Sequence, residues 1–575
     1  MPVTYLSVSE PRSVLDRPWR RPGRLAYAGE RLRGIVRPPV TIQPAPAGIV
    51  VLNDEPVVVR DGTVLRANVF LPDPAQAGEG PFPVILCAHP YGKDRLPRLQ
   101  RGRWRLDVQY HAMRQTEPLA FSELTSWESP DPAFWTAEGY ALVNLDVRGA
   151  GHSEGVGALL SAQEGRDIAD AVQWAAAQPW STGAVGMLGV SYLAISQYEA
   201  AAQQPEALRA IAPWEGFTDA YRDLFTPGGI PERGFSRLWT TIAERASRVS
   251  ESIGRRRAAH PLRDAWWQAM VPGLERIEVP LLVCTSFSDS ALHSRGSFRA
   301  FARAASAQRH AYTHRGGKWA TFYSAEAKQA QRRFFARHLK GEQSAELPPV
   351  RLEVRESRAV VAQLREENEW PLARTRWTEL HLGPEGLQPE PPGRPVRATF
   401  DARRRALAFD HVFDQDTELT GPMSLRLRIG IDRGDDVDLF VGVEKRDAED
   451  RFVPFEGSYG YGRDLVARGW LRASLRRLDP EQSAVGLPVQ AFTGREPLSP
   501  GRPVDVEIGL SESSTLFRAG ERLRLLVSGR QLGPRNPLFG QFPSLYRASA
   551  PVRLTVHCGG TAASVLTVPV IPPPA

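Results

Sequence analysis

From about residue 49 to 345 the chain alternates short, nearly all-apolar runs with stretches of helical spacing. The runs are FPVILCAH (82–89), GYALVNLDVRG (139–149), AVGMLG (184–189), LRAIAPW (208–214), VPLLVCTSF (279–287) and RHAYTH (309–314). Between them, GRDIADAVQWAAAQ places Ile168, Val172 and Ala175 on one helical face, and SAEAKQAQRRFFARHLKG reads as a closing helix. Strands that are apolar throughout are buried on both faces, so the pattern predicts a parallel sheet covered by helices on each side. Ahead of it, IVVLNDEPVVVR and TVLRANVFLP flank Asp61-Gly62, a hairpin signal.

Residues 1–48, rich in Pro and Arg with little periodicity, read as an N-terminal arm. The α/β core then spans 49–216 and 277–345, interrupted at 217–276 by a helical insertion expected to cap the strand C-termini. A second, irregular insertion at 93–133 is a candidate pocket wall. From 346 to 575 the period changes to two: SLRLRIGI, VDLFVGVEKRD, PVDVEIGL, RLRLLVSG and VRLTVHCGG alternate apolar and polar positions between turns. This half-buried alternation predicts an antiparallel, jelly-roll-like β-sandwich.

Composition narrows the class. The chain has 575 residues, 42% hydrophobic and 24% charged, with a formal charge of +7. Its basic runs are short and lack interleaved aromatics, so no nucleic-acid face is expected. Three widely spaced cysteines, two inside apolar runs, read as reduced core residues. No spacing suggests a metal site, no run is long enough to cross a membrane, and no secretory h-region stands near the start. The expectation is a cytoplasmic protein without cofactor, with a homo-oligomer left open.

The chemistry centres on VGMLGVSYLAISQYEAA (185–201), a strand, a sharp turn and a helix with Ser191 at the turn. A serine nucleophile needs a base and an acid that orients it, and on this fold the chain order is Ser, Asp or Glu, His. Asp289 follows the VPLLVCTSF run, and His314 ends the RHAYTH run. Ser191, Asp289 and His314 are therefore the expected triad. His310 begins its strand, at the far end of the sheet. His293 lies four residues past Asp289, on the following turn or helix, and is the weaker rival. The Tyr192 amide and the Tyr91 phenol are the expected oxyanion donors, since Pro90 removes one backbone donor from that loop. His89, Trp214 and Glu215 end strands near the site and are pocket candidates. Asp219 and Asp223 are expected to pair with Arg222 and Arg233.

GMLGVSYLA resembles the G-x-S-Y-x-G elbow of the CocE/NonD hydrolases, the cocaine esterase and X-Pro dipeptidyl-peptidase family of α/β-hydrolases. There the second small residue comes three after the serine; here it is Ala194. PYGKD, GYALVNLDVRGAGHSEG, SDSALHSRGSFRAF, THRGGKWATFYS, GWLRAS and STLFRAGERLRLLVSG continue the likeness. The resemblance implies an α/β-hydrolase core with a C-terminal jelly-roll-like domain, Ser191, Asp289 and His314 as triad, and Tyr91 with the Tyr192 amide as oxyanion hole. It departs at the histidine: many members carry G-P-W-x-H where this chain has YTHRGGKW. The expected activity is hydrolysis of a small-molecule ester or amide. An X-Pro dipeptidyl-peptidase and an α-amino acid ester hydrolase or acyltransferase are the enzymatic alternatives. A non-catalytic binding scaffold is the alternative of another class.

Overall fold

A computed structural model describes residues 29–573 except 30–31, 35, 113–117, 344–345, 460–461, 534–543 and 561–563; most of the N-terminal arm lies outside the described residues. The hairpin forms as β1 (Val50–Val58) and β2 (Val64–Leu71). The six apolar runs become β3 (Phe82–His89), β4 (Ala141–Asp146), β5 (Ser181–Val190), β6 (Leu208–Trp214), β7 (Leu281–Ser286) and β8 (Arg309–His314). Two more strands, β9 (Val350–Arg355) and β10 (Val361–Glu367), complete one sheet in the order β1-β2-β4-β3-β5-β6-β7-β8-β9-β10. From β4 to β9 every neighbouring pair is parallel. All residues of β3, β4 and β7 are buried, as expected for strands covered on both faces.

The covering helices are α1 (Ala162–Ala176), α2 (Tyr192–Ala201), α3 (Phe235–Ala246), α4 (Ser294–Arg303), α5 (Lys318–Phe322) and α6 (Ala325–Lys340). Ser161 caps α1 by accepting the Glu164 amide at 3.3 Å, and Ile168, Val172 and Ala175 turn inward. α3 belongs to the segment between β6 and β7. Its sequence continues with helical spacing, but the helix stops at Ala246. Ser247 takes extended angles and donates its hydroxyl to the Pro90 carbonyl at 2.9 Å, while Arg248 exchanges backbone bonds with Gly149 and Gly157. Tertiary hydrogen bonds override local helix preference here.

Beyond β10 the strands pair antiparallel in two groups, joined through Ala467–Arg472. One pairs Thr417–Ile431 with Val504–Phe517, Val565–Ile571 and Arg553–Cys558; the other pairs Arg522–Ser528 with Ala406–Val412 and Asp438–Arg446. Leu419, Met423, Leu425, Leu427, Ile429 and Ile431 are buried along one long strand, the period-two face read from the sequence. β9 pairs with β8 in the first sheet and meets Thr515 of the sandwich through Arg355.

The sandwich is tied to the loops that follow the parallel strands. Ser458 donates its amide to Ser288 at 3.0 Å and accepts the Lys318 amide at 2.9 Å; Arg295 donates to the Gly509 carbonyl at 2.7 Å. Among the described residues, no helix is long and apolar enough to cross a membrane.

Candidate active site

β5 ends at Val190 and α2 begins at Tyr192, so Ser191 alone makes the turn, at φ 59° and ψ −112°. A left-handed serine costs roughly 1–3 kcal/mol and persists only where its surroundings hold it. They do: the Ser191 amide donates to Trp214 O at 3.0 Å, and the Val190 amide to Glu128 O at 3.2 Å. The strand and helix close tightly around the turn. A Cβ on Gly189 would stand 2.4 Å from Leu193 Cβ, and one on Gly216 would stand 2.9 Å from Ala194 Cβ. Gly216 thus makes the room that Ala194 uses. This is the geometry of a nucleophile elbow.

Past β7, the Asp289 carbonyl accepts the amides of Leu292, His293 and Ser294 at 3.1–3.2 Å. That single turn brings His293 back over Asp289, with Nδ1 2.5 Å from Asp289 Oδ2 and Nε2 3.1 Å from Ser191 Oγ. The ring stacks on Phe217. The approach needs Gly296, where a Cβ would lie 2.4 Å from the Phe217 Cα.

The structure therefore corrects the expected histidine: His293, not His314, stands between Ser191 and Asp289. His314 is intercepted by Glu215, whose Oε1 lies 3.0 Å from its Nε2. His314 Nδ1 accepts the Gly316 amide at 3.1 Å, so Nε2 carries the proton given to Glu215; the Thr321 hydroxyl lies 3.2 Å from Nδ1 and donates to the Gly317 carbonyl at 2.9 Å. Strand register puts His314 opposite Ser286, three residues short of Asp289. The place beside Asp289 is filled instead by Lys318, with Nζ 2.6 Å from Asp289 Oδ2 and 2.7 Å from His293 Nδ1.

Burial opposes ionisation of Asp289, but the Lys318 ammonium and then His293 hold its carboxyl well below the usual carboxylate range. Burial and then the Lys318 charge hold the His293 imidazole below its ordinary value, with Asp289 pulling the other way. Burial likewise works against the Lys318 ammonium, and Asp289 and Glu215 outweigh it, raising its pKa.

Tyr91 lies beside Tyr192, the residue after the serine, with ring centroids 6.1 Å apart. Its hydroxyl accepts Trp239 Nε1–H at 3.0 Å, which leaves its own proton to donate, and burial keeps the phenol protonated far above its ordinary pKa. His89 holds this residue in place: Nδ1 accepts the Tyr91 amide at 3.3 Å and Nε2 lies 2.9 Å from Asn144 Oδ1. Burial lowers the His89 pKa to about 4, so it is a neutral support. The Tyr192 phenol points away, donating to Glu164 at 2.8–2.9 Å. Its amide is met by the carboxyl of Glu128, which also lies against the Ser191 hydroxyl.

Glu128, Lys318 and the role of His293 are what sequence reasoning missed. Glu128 has φ 63°, is 3% exposed, and has no hydrogen-bond partner for Oε2 among the described residues. Burial raises its pKa to about 8, so at neutral pH it adds no full negative charge beside the serine. Of the other pocket candidates, Trp214 is wholly buried against Tyr312 and Phe322. Glu215 faces the cluster but is occupied by His314 and Ser286. Asp219 pairs with Arg222 and Arg263, and Asp223 with Arg299; Arg233 is not the partner expected.

Two groups could bring metal-ligand atoms together, Glu215–Cys284–His314 and Asp54–Asp94–His152. In the first, Glu215 and His314 bond each other and burial keeps the Cys284 thiol protonated. In the second, the Lys93 ammonium already lies 2.5 Å from Asp54 and 2.6 Å from Asp94.

Residues 61–318 match the family model of the X-Pro dipeptidyl-peptidase (S15 family), and residues 343–567 match that of the X-Pro dipeptidyl-peptidase C-terminal non-catalytic domain. A cocaine esterase from Rhodococcus sp. is 27% identical over 390 residues, covering 57% of this chain and 62% of that enzyme, less than two thirds of its length. A solved CocE/NonD family hydrolase from Staphylococcus aureus superposes with a TM-score of 0.85 at 33% identity, covering 91% of this chain and 94% of the other. An α-amino acid ester hydrolase shares the fold, with a TM-score of 0.66 at 18% identity over 91% of this chain and 97% of the other. With the likeness running through both the hydrolase core and the sandwich, the chain belongs to the CocE/NonD family of hydrolases.

Proposed function

We propose that this protein hydrolyses carboxylic esters through an acyl-enzyme on Ser191. The observation that carries the reading is the hydrogen-bonded chain from Asp289 through His293 to Ser191, set on a strained elbow. His293 Nδ1–H donates to Asp289, which leaves Nε2 free to take the Ser191 proton as Oγ attacks the carbonyl carbon. The Tyr91 hydroxyl donates to the oxygen as it turns negative, and so does the Tyr192 amide once the substrate oxygen displaces the Glu128 carboxyl from it. The imidazolium then gives its proton to the leaving alcohol. A water, deprotonated by the same Nε2, attacks the acyl-enzyme, and Ser191 leaves with the proton. A fluorophosphonate should form one adduct per chain, on Ser191, and block hydrolysis of simple aryl esters. Failure to label and to turn over any of a panel of esters and amides would leave the non-catalytic scaffold as the better reading.

Tyr91→Phe removes one oxyanion donor. The expected loss in kcat is roughly 10²–10³, about 2.7–4 kcal/mol, with KM little changed. An unchanged kcat would move the second donor to a backbone amide near Gly92.

Glu128 favours a second reading, in which the acyl group carries a free α-amine. A substrate ammonium would offer the idle Oε2 a charged partner and draw the carboxyl into its ionised form. Glu215, Asp219 and Asp223 do not support it, being paired already. Paired esters differing only in the α-amino group decide between them. The first reading expects no preference for the amine. A hundredfold preference in kcat/KM, removed by Glu128→Gln, would establish the second.

A further inference from the structure

We propose that Lys318 is a positioning residue of this site: its buried ammonium fixes the Asp289 carboxylate on His293 and sets how far into acid the imidazole stays available as a base. The inference rests on the catalytic chain proposed above and adds to it a fourth member that touches no substrate.

The placement is specific. Lys318 is wholly buried at the start of α5, with Nζ 2.6 Å from Asp289 Oδ2, 2.7 Å from His293 Nδ1 and 3.9 Å from Glu215 Oε2. Its amide is held by the Ser458 carbonyl, and its ammonium lies 5.4–5.5 Å from the ring centroids of Trp319 and Tyr459. A buried ammonium persists only with anionic partners, and here there are two. Because Nδ1 must carry a proton for Nε2 to accept one, Lys318 cannot donate to Nδ1 in the productive form. Its hydrogen bond goes to Asp289 Oδ2, the oxygen that Nδ1–H also uses. The ammonium thus pins that oxygen, and with it the carboxylate that receives Nδ1–H.

The charge has a second consequence. His293 is faced by Asp289 on its own turn, Lys318 from α5, Ser191 from the elbow and the Phe217 ring; Glu215 acts on it through space. Glu128 lies against the Ser191 hydroxyl and acts through space on Lys318 and Asp289. Without Lys318, two carboxylates would draw a proton onto the imidazole and disable it as a base. With Lys318 present, that protonation needs a more acidic solution, so activity extends to lower pH. The effect of removal has one sign: the acid limb moves up.

The test compares wild type, Lys318→Met and Lys318→Arg. The first readout is the pH dependence of kcat/KM on an aryl ester and of the fluorophosphonate labelling rate. Lys318→Met should move the acid limb up by at least one pH unit, a tenfold or greater loss on the acid side, and Lys318→Arg should restore most of the shift. A uniform loss at all pH values, with the limb unmoved, would overturn the inference. The second readout needs no activity. In ¹⁵N-histidine-labelled protein, with His293 assigned through His293→Gln, the His293 ring should titrate below the ordinary imidazole pKa of about 6.5 in wild type and higher in Lys318→Met than in wild type. Titration at or above that value would overturn the inference even if Lys318→Met does not fold. A wild type that neither labels at Ser191 nor hydrolyses esters would instead remove the catalytic reading, while the difference in His293 titration between wild type and Lys318→Met would still report on Lys318.

Discussion

Ser191→Ala lowers kcat for ester hydrolysis on the order of 10⁶-fold, about 8 kcal/mol, while leaving the fold intact. The size follows from what is lost. Among the described residues, only Ser191 places a side-chain oxygen 3.1 Å from His293 Nε2, and it directly precedes the Tyr192 amide at the elbow. Water positioned by the remaining groups is a far poorer nucleophile. The fold survives because the contacts that hold the turn are backbone bonds, Ser191 N to Trp214 O and Val190 N to Glu128 O, and alanine keeps both. Alanine at φ 59° carries about the same left-handed strain as serine, so stability should change by less than about 1 kcal/mol. The measurement is steady-state hydrolysis of an aryl ester beside a thermal melt. A purified, folded variant keeping a tenth of the wild-type rate would remove Ser191 from the role.

How much of this could be read from the residues depends on what fixes each position. FPVILCAH and VPLLVCTSF are legible because a strand buried on both faces must be apolar throughout, whatever its neighbours do. Ser191 and Asp289 are legible because they follow such strands directly, so the strand fixes where they emerge. The histidine is different. Register places the His314 backbone beside β7, but the direction of its side chain is decided by Glu215, which comes from another strand end 99 residues earlier. His293 needs no strand at all. It reaches Asp289 because one turn of chain brings residues i and i+4 together, and the spacing in SDSALH was the available sign. Glu128 sits in an irregular insertion with no period to read, and its left-handed backbone is a tertiary consequence. Lys318 looks like an ordinary loop cation until the sandwich buries it through Ser458 and Tyr459. The helical spacing directly after Ala246 misleads for the same reason, since Gly149 and Gly157 capture the Arg248 backbone and Ser247 and Val249 form isolated bridges.

The two histidines separate cleanly in the second large effect. His293→Ala should lower kcat/KM on the order of 10³-fold or more, because it removes the only imidazole nitrogen hydrogen-bonded to Ser191 Oγ among the described residues. It also leaves Asp289 facing Lys318 alone, a pair that still satisfies both charges, so the variant should fold. His314→Ala removes a different kind of contact. Glu215 loses the Nε2–H at 3.0 Å but keeps the Ser286 hydroxyl at 2.9 Å, and the Gly316 amide loses its acceptor while the Thr321 hydroxyl keeps the Gly317 carbonyl. Leaving buried polar groups unpaired costs about 1–3 kcal/mol each, so this variant should melt earlier. Its folded fraction should retain kcat/KM to within about tenfold, since neither Ser191 nor Asp289 is touched by His314. His314→Gln, which can still donate to Glu215, should recover part of the lost stability. The comparison is made at a temperature where melts show all three variants folded. If folded His314→Ala is as inactive as His293→Ala, the working base lies on β8, and the Ser191–His293 contact seen here is not the catalytic one.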